Sequence, residues 1–162
     1  MDSIETRVKS LAKSLGANLV GITTTEALAD GPPSADPRYL LPSANSAICF
    51  AVSLDGDIIQ EFISKKSWRP HCENRKTLVK KLYSIGETLT EQLRSEGYEA
   101  VNVDINANYR PEKGAKDITE MTEFHPDFSH RYGALAAGIG RLGWSGNLLT
   151  EEYGALVELG SV

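Results

Sequence analysis

The densest chemistry in this sequence lies between residues 106 and 147. Tyr109, Arg110, Glu112, Lys113, Lys116, Asp117, Glu120, Glu123, His125 and Asp127 crowd one segment with little apolar periodicity. A long polar stretch inside a compact domain usually carries function, and this one delivers acid, base and phenol groups. Directly after it come His130, Arg131 and Tyr132, a run of small residues over 134–140, and four glycines in nine residues, Gly138, Gly140, Gly143 and Gly146. Glycine allows positive φ and lets a large flat ligand lie against bare peptide. The pattern reads either as a ligand loop supplied with proton donors or as a glycine helix cap followed by a tight loop.

Two literal matches are set aside. Gly138-Ile139-Gly140-Arg141-Leu142-Gly143 fits G-x-G-x-x-G, but a dinucleotide fingerprint must follow a strand and open a helix. Residues 130–137 read instead as a short Ala-rich helix that the glycines close. His125 and His130 are five apart with Pro126 between them, and with no third ligand at tight spacing no metal site is assigned. Asp127 or Ser129 is expected to cap the following helix.

The order Ala137-Gly138-Ile139-Gly140, a two-residue gap, Gly143-Trp144-Ser145-Gly146-Asn147-Leu148-Leu149-Thr150 and then Glu152-Tyr153-Gly154 resembles the cobalamin-binding domain shared by epoxyqueuosine reductases and reductive dehalogenases. Weaker likeness at 15–23 and 47–52 extends the resemblance over most of the chain. It implies an α/β (α+β), nitroreductase-like sandwich in which a central mixed or mainly antiparallel sheet is flanked by helices. The implied cofactor is cobalamin, with FMN as the alternative because the two kinds of domain share that architecture. The matching stretch makes His130, Arg131, Gly138, Gly140, Gly143, Trp144, Ser145, Gly146 and Asn147 the implied cofactor-binding residues.

The resemblance also implies a proton donor, an Asp before the glycine motif in epoxyqueuosine reductases and a Tyr in reductive dehalogenases. Asp127, which does not stand at the family's spacing, and Tyr109 and Tyr132 are the candidates. Implied partners are a ferredoxin-like electron-delivery module with two [4Fe-4S] clusters, in cis or in trans, and a small organic substrate or a modified tRNA base. In the family that module follows a strand similar to 156–162. Residues 1–162 are therefore expected to form one cobalamin-binding-like domain without the module, binding cofactor but turning over poorly. A non-catalytic cofactor-carrying or interaction module is the remaining reading.

Composition is compatible with this. The 162 residues suit a single domain with a real core, and 41% hydrophobic with 24% charged content is ordinary for a globular protein. Met1-Asp2-Ser3-Ile4-Glu5 lacks the regions of a signal peptide and no apolar run reaches the roughly 20 residues of a span. A cytoplasmic protein with no membrane partner is expected. Cys49 and Cys72, far apart, make neither a disulfide framework nor a cluster-binding run. The net charge of −5 disfavours broad nucleic-acid binding. Lys65, Lys66, Arg69, Arg75, Lys76, Lys80 and Lys81, against the single acid Glu73 between them, form either a solvated helical face or a phosphate-binding patch.

The elements that must position these groups follow from periodicity. Asp2 and Glu5 have capping-box spacing, and Ile4, Val8, Leu11 and Leu15 recur at helical spacing up to Gly16, predicting a helix over 3–15. Strands are expected at 18–24, 46–53, 100–105 and 155–160. The prolines of 31–37 mark a surface loop. Ile58, Ile59, Phe62 and Ile63 suggest a short helix, with Trp68 and Pro70 in a loop after it. Leu78, Leu82, Ile85, Leu89 and Leu93 form one stripe of a long helix over 74–96, closed at Gly97. Cys49, inside an apolar strand, is expected to be an inert core thiol.

Overall fold

The computed structural model describes residues 2–105, 109–111 and 124–162, with the side chains of 109, 110, 111, 124 and 125 left aside. Helix α1 (Ile4–Ser14) is followed by β1 (Leu19–Thr24), three short 3-10 turns, and β2 (Ser46–Ser53). Then come α2 (Gly56–Ile63), α3 (Arg69–Ser95), β3 (Tyr109–Pro111), β4 (Phe124–Pro126), α4 (His130–Ala136), β5 (Arg141–Leu142), β6 (Leu148–Leu149) and β7 (Val157–Ser161). The main sheet has the order β1-β2-β7 and is antiparallel throughout, with Gly21 opposite Cys49 and Ala51 opposite Leu159.

The alternation of β2 decides the layers. Ile48, Phe50 and Val52 face one side, where they pack with Val8 and Ala12 of α1 and with Leu82, Ile85 and Leu89 of α3. Ala47, Cys49 and Ala51 face the other, where they meet Phe128, Ala134, Ile139 and Leu148. Side chains of a strand alternate with period two, so large residues meet two helices on one face and small ones admit α4 closely on the other. Gly133 of α4 completes that approach, since a Cβ there would stand 2.8 Å from Cys49 Sγ. The expected α/β architecture, a mixed or mainly antiparallel sheet flanked by helices, is observed with its main sheet antiparallel throughout.

Helix ends follow a shared rule. In α1, α3 and α4 the amides of the first two residues past the C-cap turn back onto carbonyls of the last turn, as in Gly138 N to Leu135 O (3.1 Å) and Ile139 N to Ala134 O (2.9 Å). This geometry needs a left-handed residue, supplied by Gly16, Gly97 and Gly138 at φ of +96°, +90° and +73°. Helix α2 closes in the same way on Lys65, at φ +56°.

Five expectations are corrected. Ser3, not Asp2, caps α1, its Oγ accepting from Thr6 N at 3.2 Å. Helix α3 begins at Arg69 rather than 74, because Pro70 lies in its first turn, where the missing N–H has no intrahelical partner to lose. Residues 100–105 form no ladder: they run beside β7 on one backbone bond, Val103 N to Ser161 O (3.0 Å). Side chains hold that segment instead, Arg94 donating to Ala100 O and Asn102 to Tyr83 O. Ser129 occupies the N-cap of α4, yet its side chain makes no capping bond. The final strand is Val157–Ser161, shifted slightly from the expected 155–160.

Candidate functional site

Beside the N-terminus of α4 lies a cleft of about 520 Å³, within the range of small-molecule sites. Its wall includes Asp104, Asp127, His130, Arg131 and Asn147, closed on one side by Arg75 and Glu158. Three elements bring these together. Asp127 follows β4 directly, Asn147 precedes β6, and α4 sets His130 and Arg131 between them. Arg131 Nη1 donates to Gly146 O at 2.6 Å and so ties the helix to the hairpin.

That hairpin is built from the glycine-rich stretch. Gly146 N donates to Gly143 O (2.9 Å) and Gly143 N to Asn147 O (2.9 Å), with Gly146 at φ +73°. The loop Trp144-Ser145-Gly146 is thus the three-residue hairpin connection that places a left-handed glycine last. Trp144 at its tip is fully exposed, and Leu142 and Leu149 are also exposed. Gly140 and Gly143 face the chain itself: a Cβ on either would come within 3 Å of Leu149, at its carbonyl oxygen for Gly140 and its side chain for Gly143. Gly138 terminates α4. Of the cofactor-binding candidates, His130, Arg131 and Asn147 line the cleft, whereas Gly138, Gly140, Gly143, Trp144, Ser145 and Gly146 do not.

His130 is committed on both ring nitrogens. Nε2 lies 3.1 Å from the Asp104 carbonyl oxygen and Nδ1 2.9 Å from Ser161 Oγ. A carbonyl only accepts, so Nε2 carries the proton and Nδ1 accepts from the serine hydroxyl. Burial pushes the imidazole pKa below its ordinary value, against a smaller upward pull from the Asp104 carbonyl. Ser161 Oγ also lies 3.6 Å from Cys49 Sγ. Burial raises that thiol to about 12, which makes Cys49 the inert core thiol expected from its strand.

Among the proton-donor candidates, Asp127 lines the cleft, while Tyr132 packs against the core cluster beneath α4. The backbone of Tyr109 pairs with that of Pro126, one residue from Asp127. Glu112, Lys113, Lys116, Asp117, Glu120 and Glu123 lie outside the described residues. Sequence reasoning missed Arg75, Glu158, Asp104 and Ser161 as parts of this region. Arg75 Nε donates to Glu158 Oε1 at 2.7 Å, but 83 residues separate the two and no local spacing signals the pair. Among the described residues no group of three His, Cys, Asp or Glu is arranged to hold a metal, and no helix is long and apolar enough to cross a membrane.

The class defined here is a three-layer unit, helices on both faces of an antiparallel sheet, with a ligand-sized cleft where the sheet edge, a helix start and a hairpin meet. Solved epoxyqueuosine reductases share this fold. The enzyme from Bacillus subtilis, with its catalytic loop swung out of the active site, superposes with a TM-score of 0.54 at 20% identity, covering 98% of this chain and 44% of that one. An epoxyqueuosine reductase with an epoxyqueuosine-modified tRNA-Tyr stem loop gives 0.50 at 19% identity, over 98% and 44%. The enzyme from Streptococcus thermophilus gives 0.50 at 16%, over 98% and 45%. The chain spans less than half the length of these structures. No family model and no curated protein matches it.

Proposed function

We propose that this chain is the corrinoid-binding domain of a reductive iron–sulfur oxidoreductase of the epoxyqueuosine reductase kind. The observation that carries the reading is the fold likeness over 98% of the chain together with a cleft to which the family-like motif contributes Asn147 and Leu148, beside Asp127, His130 and Arg131 just before it. A cobalamin supplies the low-potential electron chemistry when bound, and the protein's part is to orient and to place a proton. The residues present fit such a group in part. The cleft admits a fraction of so large a molecule, and the hairpin at its edge adds a fully exposed Trp144 with exposed Leu142 and Leu149. Arg131, Asn147, Trp144 and Ser145 would hold it. Gly140 and Gly143 contribute by letting the hairpin close rather than by touching it.

Asp127 is the proton donor in this reading, because it lines the cleft and general-acid transfer requires reach before tuned acidity. Tyr109 is its neighbour through the β3–β4 pairing. His130 positions Asp127, since its two ring bonds pin the start of α4 to β7 and to the Asp104 carbonyl. A modified tRNA base is the favoured substrate class, following the neighbour with a modified stem loop. Electrons come from a ferredoxin-like module, in cis or in trans, and a cytoplasmic location suits both partners.

The test is a titration of the chain with hydroxocobalamin and, separately, with FMN, followed by visible absorbance and by co-elution in gel filtration. Cobalamin is expected to co-elute, and Arg131→Ala or Asn147→Ala to weaken it. Retention of FMN alone would transfer the site to the flavin reading. Retention of neither would leave a non-catalytic module and sink the proposal.

A further inference from the structure

The corner between α2 and α3 concentrates apolar surface and positive charge. Phe62, Ile63 and Trp68 are 43%, 63% and 65% exposed there, and α2 has no fully buried residue. Lys65, Lys66 and Arg69 lie among them, exposed and outside every ion pair of the described residues. Lys76 and Lys80 follow on α3, roughly opposite the buried Leu82 and Leu89. Residues 61–81 hold seven Lys or Arg against Glu61 and Glu73, a net of +5 in a chain of −5. The remainder therefore carries −10.

A second observation concerns Lys65. Its φ is +56°, in the left-handed region that glycine occupies at the ends of the other three α-helices. A side chain there is strained relative to glycine, yet among the described residues this is the one positive-φ position that is not glycine. Lys65 is exposed, so its charge faces solvent at the expense of backbone comfort.

We propose that this corner is a docking surface for an anionic lipid bilayer. Ile63, Phe62 and Trp68 enter the headgroup boundary, and Lys65, Lys66 and Arg69 meet lipid phosphates, the arrangement of peripheral membrane anchors. The uneven charge orients the molecule, because this corner is attracted while the net −10 of the remainder is repelled. Nucleic acid uses the same cations, but it rewards aromatic stacking platforms in a groove. An exposed isoleucine at the end of α2 adds nothing to that. Peripheral docking needs no spanning helix, and it runs against the expectation from composition that no membrane partner exists.

The experiment is co-sedimentation of the full chain with vesicles of phosphatidylcholine alone and of phosphatidylcholine with 30% phosphatidylserine. A Trp144→Phe background makes Trp68 the sole tryptophan, so its fluorescence reports insertion. Binding is expected only with phosphatidylserine present, with a blue shift of Trp68 emission and a marked loss at high salt. Ile63→Ser should weaken it by removing apolar area from the headgroup boundary, and Lys66→Gln should weaken it about fivefold, the equivalent of the ~1 kcal/mol that one cation contributes near an anionic surface. Lys65→Gly should weaken binding similarly while raising the unfolding temperature, which separates docking from folding. Absence of binding, or equal binding to both vesicles, would overturn the proposal. So would tight binding of an RNA oligonucleotide that Ile63→Ser leaves unchanged while vesicles stay unbound.

Discussion

A Cβ placed on Gly140 would stand 2.5 Å from the carbonyl oxygen of Leu149. Backbone cannot retreat from that contact as a flexible side chain would, so Gly140→Val should lower the unfolding temperature in the absence of any ligand. Gly138→Ala meets no neighbour within 4 Å but sits at φ +73°, so it should cost about 1 kcal/mol from backbone strain alone. Thermal unfolding of both variants checks this. Gly140→Val as stable as wild type would return that glycine to the ligand surface.

His130 predicts the sign of an acid effect. Its folded pKa lies below the ordinary 6.5 because burial disfavours the charged ring. The folded state thus binds fewer protons than the unfolded one. The contribution is whole above about pH 6.5 and is lost as pH falls through the folded value. Urea unfolding at pH 8 and pH 5.5 should show a larger loss for wild type than for His130→Gln. Equal losses would show that the ring is not held neutral.

Leu82 and Leu89 are wholly buried between α3 and the sheet. Replacing either by Ala should cost about 2–5 kcal/mol, the transfer loss plus the cavity left behind. Chemical denaturation measures it directly. A loss below about 0.5 kcal/mol would mean that the stripe faces solvent.

Cys49 should resist alkylation in the folded protein at pH 8. Its thiol is fully buried and raised to about 12, so neither the thiolate nor access is available. Mass spectrometry after iodoacetamide should find Cys49 unmodified until denaturant is added. Modification at the unfolded rate would contradict its placement.

Local physics makes much of this molecule legible in its sequence. The apolar run at 46–53, the stripe from Leu78 to Leu93, and the stops at Gly16 and Gly97 each rest on side-chain period or on a single backbone angle. Such signals are complete within a few residues. Residues 100–105 show where they fail. Val101 and Val103 alternate as a strand does, yet a ladder needs a free neighbouring edge in register, and only one bond to β7 forms.

The chain by itself determined that a mixed or mainly antiparallel sheet would be flanked by helices, and that the stretch after Asp127 would combine a short helix, glycines and a turn. Only the tertiary structure decided what those glycines face. Gly140 and Gly143 close on Leu149, while His130, Arg131 and Asn147 open on the cleft. It also joined Arg75 to Glu158 and His130 to Ser161. Contacts across 83 and 31 residues leave no trace in spacing, because they arise when α3 and α4 pack against opposite faces of one sheet and meet at its β7 edge.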